Sequence, residues 1–283
     1  MEQTNPKKTQ SKKAIKNVVT GTILVVCGIL YYTNGTPKPV SPEPVNTTPT
    51  QESSTESTTP KTPTTATTTT PATTTPRYVI NKDFSVSPID PAGNKKIVLL
   101  TIDDGPASKK ILESLLKAMT DENVHAIFFD LGQLVTAHPE LLKETKDAGH
   151  AIGNHTWDHA NLKKISEADA KSEIDRATTA ITKVLGEAPK FFRPPYGAHN
   201  DYVDAYVKEK GMLLMNWSLG GEDWVKQYQS KDALTKHVLE QLQPGANILL
   251  HEHQWTAEAM PGIIKGIKDA GYTIIDPKEI QTL

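Results

Sequence analysis

Ile97-Val98-Leu99-Leu100-Thr101-Ile102-Asp103-Asp104-Gly105-Pro106 is the stretch on which the fold of this 283-residue chain turns. Its apolar run, 97–101, leads to two acids and a Gly-Pro turn, the pattern of a strand buried on both faces. Similar short runs recur at 126–129, 212–215, 247–250 and 272–275. Helical patterns lie between them. Ser108 precedes Ile111, Leu112, Leu115 and Leu116 on one face, residues 140–148 stop at Gly149, and residues 166–185 stop at Gly186. Strands alternating with helices imply parallel strands joined by crossovers. An α/β fold of the (β/α) barrel kind fits, with its functional groups at the C-terminal strand ends. An open doubly wound sheet is the rival architecture.

The polar motifs stand just after these apolar runs. Asp103 and Asp104 leave their strand in different directions, so one carboxylate can hold a cation while the other faces substrate as a base. In His155-Thr156-Trp157-Asp158-His159 the two histidines are one helical turn apart and offer two imidazoles from one face. With Asp104 they make a two-histidine, one-carboxylate set with open positions for water and substrate. That set suits zinc, and also cobalt, nickel, iron or manganese. Phe191-Phe192-Arg193-Pro194-Pro195-Tyr196-Gly197 carries an arginine able to grip a carboxylate bidentately. Glu222-Asp223-Trp224 puts an acid beside an aromatic suited to a sugar groove, and Leu249-Leu250-His251 ends an apolar run with a proton carrier. Each motif alone also reads as a turn, a surface loop or a core histidine. Together they describe metal-assisted hydrolysis. His125, His138, His150, His199, His237 and His253 lack partners at motif spacing and read as surface or structural groups.

These five elements, in this order, resemble the polysaccharide deacetylase pattern (NodB homology, carbohydrate esterase family 4), the match running from Thr101 to His251. The resemblance implies a distorted (β/α) barrel and a role for each matching position. Asp103 would be the general base, and Asp104, His155 and His159 the metal ligands. Arg193 would orient Asp103, and the Tyr196 backbone N–H would share in stabilising the oxyanion. His251 would be the general acid, its charge supported by Asp223, while Trp224 and Leu249 would wall the acetyl pocket. One departure is Gly220, where the family often carries a second acid three residues before the position of Asp223. It touches groove shape and substrate preference and removes no ligand or proton carrier.

Composition bounds the rest. A net charge of −2 with 23% charged residues gives no basic field for nucleic acid. The single cysteine, Cys27, excludes an intramolecular disulfide framework. Lys7, Lys8, Lys12, Lys13 and Lys16 make residues 1–16 a basic, cytoplasmic N-terminus ahead of an apolar run, 17–33, read as a single-pass type II signal anchor. Lipidation at Cys27, after Leu24-Val25-Val26, and cleaved secretion are the alternatives; all three put the C-terminal part outside the cytoplasm. Residues 34–77, rich in Thr, Pro and Ser, cannot bury a core and read as a disordered, extended linker. Residues 78–283 form the catalytic domain, long enough for one core.

The expectation is a membrane-held monomer that uses a divalent metal, zinc first, to remove N-acetyl groups from N-acetylglucosamine in cell-wall peptidoglycan. Chitin-oligosaccharide deacetylation and xylan O-acetyl ester hydrolysis would use the same machinery. A wall-binding module without turnover is the non-enzymatic alternative, and Gly220 is the feature in its favour.

Overall fold

A computed structural model describes residues 75–283. The expected basic terminus, signal anchor, Cys27 and residues 34–74 of the linker lie outside the described residues. Among the described residues, no helix is long and apolar enough to cross a membrane.

The described chain opens with a hairpin of β1 (Tyr78–Ile80) and β2 (Val86–Pro88). It continues through β3 (Ile97–Gly105), α1 (Lys109–Asp121), β4 (Ile127–Asp130), α2 (Gly132–Ala137), α3 (Pro139–Asp147), β5 (Ala151–Asn154) and α4 (Glu167–Leu185). Then follow β6 (Phe191–Phe192), α5 (Asp201–Glu209), β7 (Leu213–Leu214), β8 (Leu219–Gly220), α6 (Lys231–Glu240), β9 (Ala246–His251), α7 (Gln254–Asp269) and β10 (Thr273–Ile274). The large sheet is parallel, in the order β7-β6-β5-β4-β3-β9-β8. β10 lies beside the start of β3, on the flank that β4 takes further along: Thr273 pairs with Ile97, and Ile127 with Thr101.

The expected barrel is a curled, open half-barrel. β7 and β8 are its two edges, and only residues 215–218 separate them. Parallel neighbours need a crossover of a dozen or more residues, so these two strands cannot pair with each other. Side chains stitch the gap instead. Arg193 donates to the carbonyls of Met215 (3.3 Å) and Asn216 (2.9 Å), and Asn247 Nδ2 donates to Asn216 O at 2.9 Å.

Strand parity sorts the core. Val98, Leu100 and Ile102 of β3 pack outward with the apolar faces of α1 and α7, whereas Ile97 and Leu99 point inward with Ile127, Phe129 and Phe191. Parity therefore sends Thr101 and Asp103 inward too. The hairpin, which the sequence reading missed, adds Tyr78 and Val86 to the inner cluster. Its docking explains Gly245: φ is +79°, and a Cβ there would lie 2.5 Å from Val86 O. The helix signals are met unevenly. Gly186 caps α4 at φ 75° as expected, and Ser166 Oγ accepts from Asp169 N at its start. Ser108 precedes α1 but its side chain caps nothing; Glu252 Oε1 accepts the amides of Ala107 (3.1 Å) and Ser108 (2.8 Å) instead.

Candidate active site

Every motif residue lies at or just beyond the C-terminal end of a parallel strand, where functional groups gather in such folds. Asp103 and Asp104 end β3, His155 follows β5, Arg193 follows β6, Asp223 comes after β8, and His251 ends β9. Asp103 and His251 are register partners across the β3–β9 ladder.

The two aspartates diverge as expected, because Asp104 adopts φ 70° and the ladder with β4 shifts register between Asp103 and Gly105. Asp103 stays buried inside the curl. Its Oδ1 accepts from Arg193 Nη1 at 2.7 Å, and the same nitrogen donates to Thr101 Oγ1 at 2.8 Å. The bidentate grip expected for Arg193 is not formed. One nitrogen reaches the carboxylate, because the remaining donors serve the carbonyls that close the gap between β7 and β8. The guanidinium is fully buried, 4.3 Å above the Phe129 ring.

Asp104 faces the two histidines. Its Oδ1 lies 3.5 Å from His155 Nε2 and 3.5 Å from His159 Nε2. The expected helical turn is absent: residues 155–159 form an irregular loop in which Thr156 (φ 72°) and His159 (φ 68°) are left-handed. Backbone reversal, and not helical periodicity, brings the imidazoles together, with ring centroids 5.1 Å apart. Glu173 of α4 holds the loop, its Oε2 accepting the amides of Trp157 and Asp158, both at 3.0 Å. Asn154 Oδ1 accepts the amide of Thr156 at 2.7 Å.

Three features make this trio fit a cation. His155 Nδ1 is 2.7 Å from the Arg193 carbonyl, which can only accept, so Nδ1 carries a hydrogen and Nε2 is the nitrogen left to a metal beside Asp104. Asp104 Oδ1 is buried with no hydrogen-bond partner. Burial opposes the Asp104 charge, yet the adjacent histidines hold its carboxyl well below the usual carboxylate range. One ligand atom from each of Asp104, His155 and His159 lies within 4.8 Å of the others. Two imidazoles and a carboxylate form a donor set for zinc and other late first-row divalent metals.

On the facing side, His251 Nδ1 donates to Asp223 Oδ1 at 2.7 Å, and the His251 amide donates to Oδ2 at 2.7 Å. Thr256 Oγ1 also donates to Oδ2 at 2.7 Å, so the fully buried Asp223 is satisfied on both oxygens. Burial resists charge on His251, but the Asp223 hydrogen bond and the Asp223, Asp103 and Asp104 charges outweigh it and lift its pKa to about 9. Leu249, two residues earlier on the same inward face, is buried. Among the described residues only two aromatics are strongly exposed, and both border this site. Tyr196 (66% exposed, φ 60°) sets its ring 4.6 Å from that of His159, and Trp224 (47% exposed) sets its ring 5.3 Å from that of His251. At Gly220 an added Cβ would meet Trp217, Trp224 and Glu222 no closer than 3.6 Å, so space there would admit a side chain.

Sequence reasoning set aside His253, which the fold brings into the site. Its ring lies 5.7 Å from that of His251, stacked, and it is partly buried. Burial, and then the charge of His251, hold its pKa below the ordinary value. The i, i+2 spacing at the end of a strand, which puts two side chains on one face, was the available signal. Asp130 and Glu252 were also unforeseen: both are buried, each with an unpartnered oxygen, and both border Gly105. His150, read as structural, accepts the Ala126 amide through Nδ1 at 3.1 Å.

The polysaccharide deacetylase family model matches residues 90–215. The peptidoglycan-N-acetylglucosamine deacetylase PgdA of Listeria monocytogenes is 34% identical over 196 residues, which are 69% of this chain and 41% of that protein. A peptidoglycan-N-acetylglucosamine deacetylase of Bacillus cereus is 34% identical over 195 residues, 67% of this chain and 70% of the relative. PdaC of Bacillus subtilis, named a peptidoglycan-N-acetylmuramic acid deacetylase, is 34% identical over 197 residues. Its solved structure superimposes with a TM-score of 0.59, covering 64% of this chain and 87% of that one. The chain thus spans about 41% of the Listeria relative's length and most of the Bacillus cereus relative's. On sequence and fold together, the chain belongs to the polysaccharide deacetylase family of carbohydrate esterases.

Proposed function

We propose that this chain is a divalent-metal-dependent hydrolase, zinc being the first candidate, that removes the acetyl group from N-acetylglucosamine residues of peptidoglycan. The observation that carries this reading is Asp104 Oδ1 standing 3.5 Å from two imidazole nitrogens, with Asp103 and His251 paired beside it. Asp104, His155 and His159 would hold the cation, whose chemistry is to polarise the acetyl carbonyl and acidify the attacking water.

The chain's own groups do the rest. Asp103, held by Arg193, takes the water's proton as the water attacks the amide carbon. The Tyr196 amide N–H faces the oxygen that gains charge, where one such donor is worth roughly 10²–10³-fold in rate. His251 gives its Nε2 proton to the departing nitrogen, and Asp223, bonded at Nδ1, keeps the imidazole charged until then. Acetate and a free amine leave. Leu249 and Trp224 exclude water around the acetyl methyl. The exposed Tyr196 and Trp224 rings offer apolar faces to a sugar chain, consistent with exposed apolar surface marking a binding site.

The N-terminal lysines and the apolar run behind them support a membrane-held enzyme whose catalytic domain works outside the cytoplasm, where peptidoglycan lies. The likeness to PdaC favours a second reading, in which N-acetylmuramic acid is the deacetylated sugar. Acetate release from purified peptidoglycan and from chitin oligomers, with and without chelator, tests the activity. Identifying the sugar that carries the new amine separates the two readings. If no acetate is released with zinc restored, the deacetylase reading fails and a binding module remains.

A further inference from the structure

Next to the Asp104 trio stands a second group of metal-ligating side chains. Asp223, His251 and His253 each bring one ligand atom within 4.8 Å of the others. The His253 amide donates to the His251 carbonyl at 2.8 Å, closing a tight turn that keeps the two imidazoles stacked on one side of the chain. His253 occupies the position before α7 but makes no capping hydrogen bond, and among the described residues its ring nitrogens have no hydrogen-bond partner. The ring is packed against Trp255 at 4.6 Å, so it is held in position without being engaged.

We propose that Asp223, His251 and His253 form a second divalent-cation site, of the zinc class, whose filling switches the enzyme off. The inhibitory part rests on the reading above, in which His251 supplies the proton to the leaving group. In the open site one proton lies between His251 Nδ1 and Asp223 Oδ1, which are 2.7 Å apart. An incoming cation takes that proton's place and the proton goes to solvent. With metal–nitrogen and metal–oxygen bonds of about 2.0–2.2 Å in tetrahedral geometry, the two atoms must separate by roughly 0.6–0.9 Å. A modest rotation of His253 then supplies the third ligand. An imidazole ligated at one nitrogen holds the hydrogen on the other too firmly to act as an acid. The second site fills after the first, because its cation displaces a proton held by a buried, fully bonded carboxylate. Two imidazoles select zinc-like ions over magnesium or calcium, which prefer all-oxygen shells.

The test is zinc stoichiometry alongside activity. At saturating free zinc, equilibrium dialysis of the wild type should give two cations per chain, and His253→Phe, which keeps a ring against Trp255, should give one. His155→Ala should keep the second cation while losing the first. Acetate release by the wild type should rise and then fall as zinc increases, whereas His253→Phe should rise and stay high; excess magnesium should inhibit neither. His253→Ala repeats the measurement without the ring. One cation per chain in the wild type, or the same inhibitory phase in both His253 variants, overturns the proposal. Binding is read without turnover. Two cations falling to one in His253→Phe, with no acetate released from any acetylated glycan, therefore sinks the deacetylase reading and leaves the second site standing.

Discussion

Asp103 and His251 are register partners on adjacent parallel strands, so the proposed base and the proposed acid leave the sheet side by side. Adjacent strands lie about 4.8 Å apart, close enough for both groups to act on one acetyl amide. They are nevertheless in opposite electrostatic settings. Asp103 is paired with the buried Arg193, and His251 with the buried Asp223.

Asp103→Asn keeps the shape and an oxygen for Arg193 but removes the base. Turnover should fall by about 10²–10⁴-fold, the usual worth of general base assistance. Metal content should stay at the wild-type level, since Asp104 and the histidines are untouched. Acetate release and elemental analysis of the same preparation check both halves, and a loss under tenfold would remove Asp103 from this role.

Asp103→Ala probes stability. It strands the Arg193 guanidinium, which is buried and has no other carboxylate partner among its hydrogen bonds. Breaking a buried ion pair by deleting one partner costs about 3–5 kcal/mol. Denaturant unfolding of Asp103→Ala against Asp103→Asn should show the larger loss in the alanine variant.

Asp223 should set the alkaline limb of activity. His251 is held protonated up to about pH 9, so an acid at this position is lost as pH rises through that value. A divalent cation at the neighbouring trio repels the proton and brings the limb down somewhat. Asp223→Asn removes the countercharge, and the limb should move towards the ordinary histidine range near 6.5. Stability follows the same sign. The raised pKa contributes fully below about 6.5 and is lost as pH climbs towards 9, so thermal unfolding of the wild type should weaken across that window more than that of Asp223→Asn. Coincident alkaline limbs in the two proteins would refute the assignment.

How much of this was legible in the sequence depends on the range of the forces involved. β3, β4 and β9 announced themselves because strands buried on both faces need continuous apolar runs, as in residues 97–101. β6 and β8 are two residues each, too short for any period to register. α7 contains Pro261 and Gly262, which read locally as breakers, yet its buried face from Thr256 to Ile267 keeps it helical. The motif residues were found from residue type and order. Their geometry was not: the spacing of His155 and His159 suggested a helix, and tertiary contacts made a loop of it. His253 escaped because its partner Asp223 is distant in sequence, and Glu252 because its work is done on the amides of another element.

Glu173 illustrates that dependence, and its removal gives the last prediction. The loop carrying His155 and His159 contains two left-handed non-glycine residues, Thr156 and His159, a conformation that costs of order 1–3 kcal/mol each and persists only where contacts over-determine it. Glu173 supplies two of those contacts through one oxygen, and Arg176, stacked 4.1 Å from the Trp157 ring, adds a third across the same loop. No atom of Glu173 is among the proposed ligands, so it acts by positioning. Glu173→Ala should let the loop relax and weaken metal binding by about 10–100-fold, the usual cost of losing an outer support of a ligand. kcat of the metal-loaded protein, read below the inhibitory zinc range, should change far less, because filling the Asp104 site restores the geometry. Glu173→Gln retains an acceptor oxygen for both amides and should recover most of the affinity. Zinc titration of the three proteins reads this directly: equal affinities for Glu173→Ala and wild type would mean the loop holds its shape without the helix behind it.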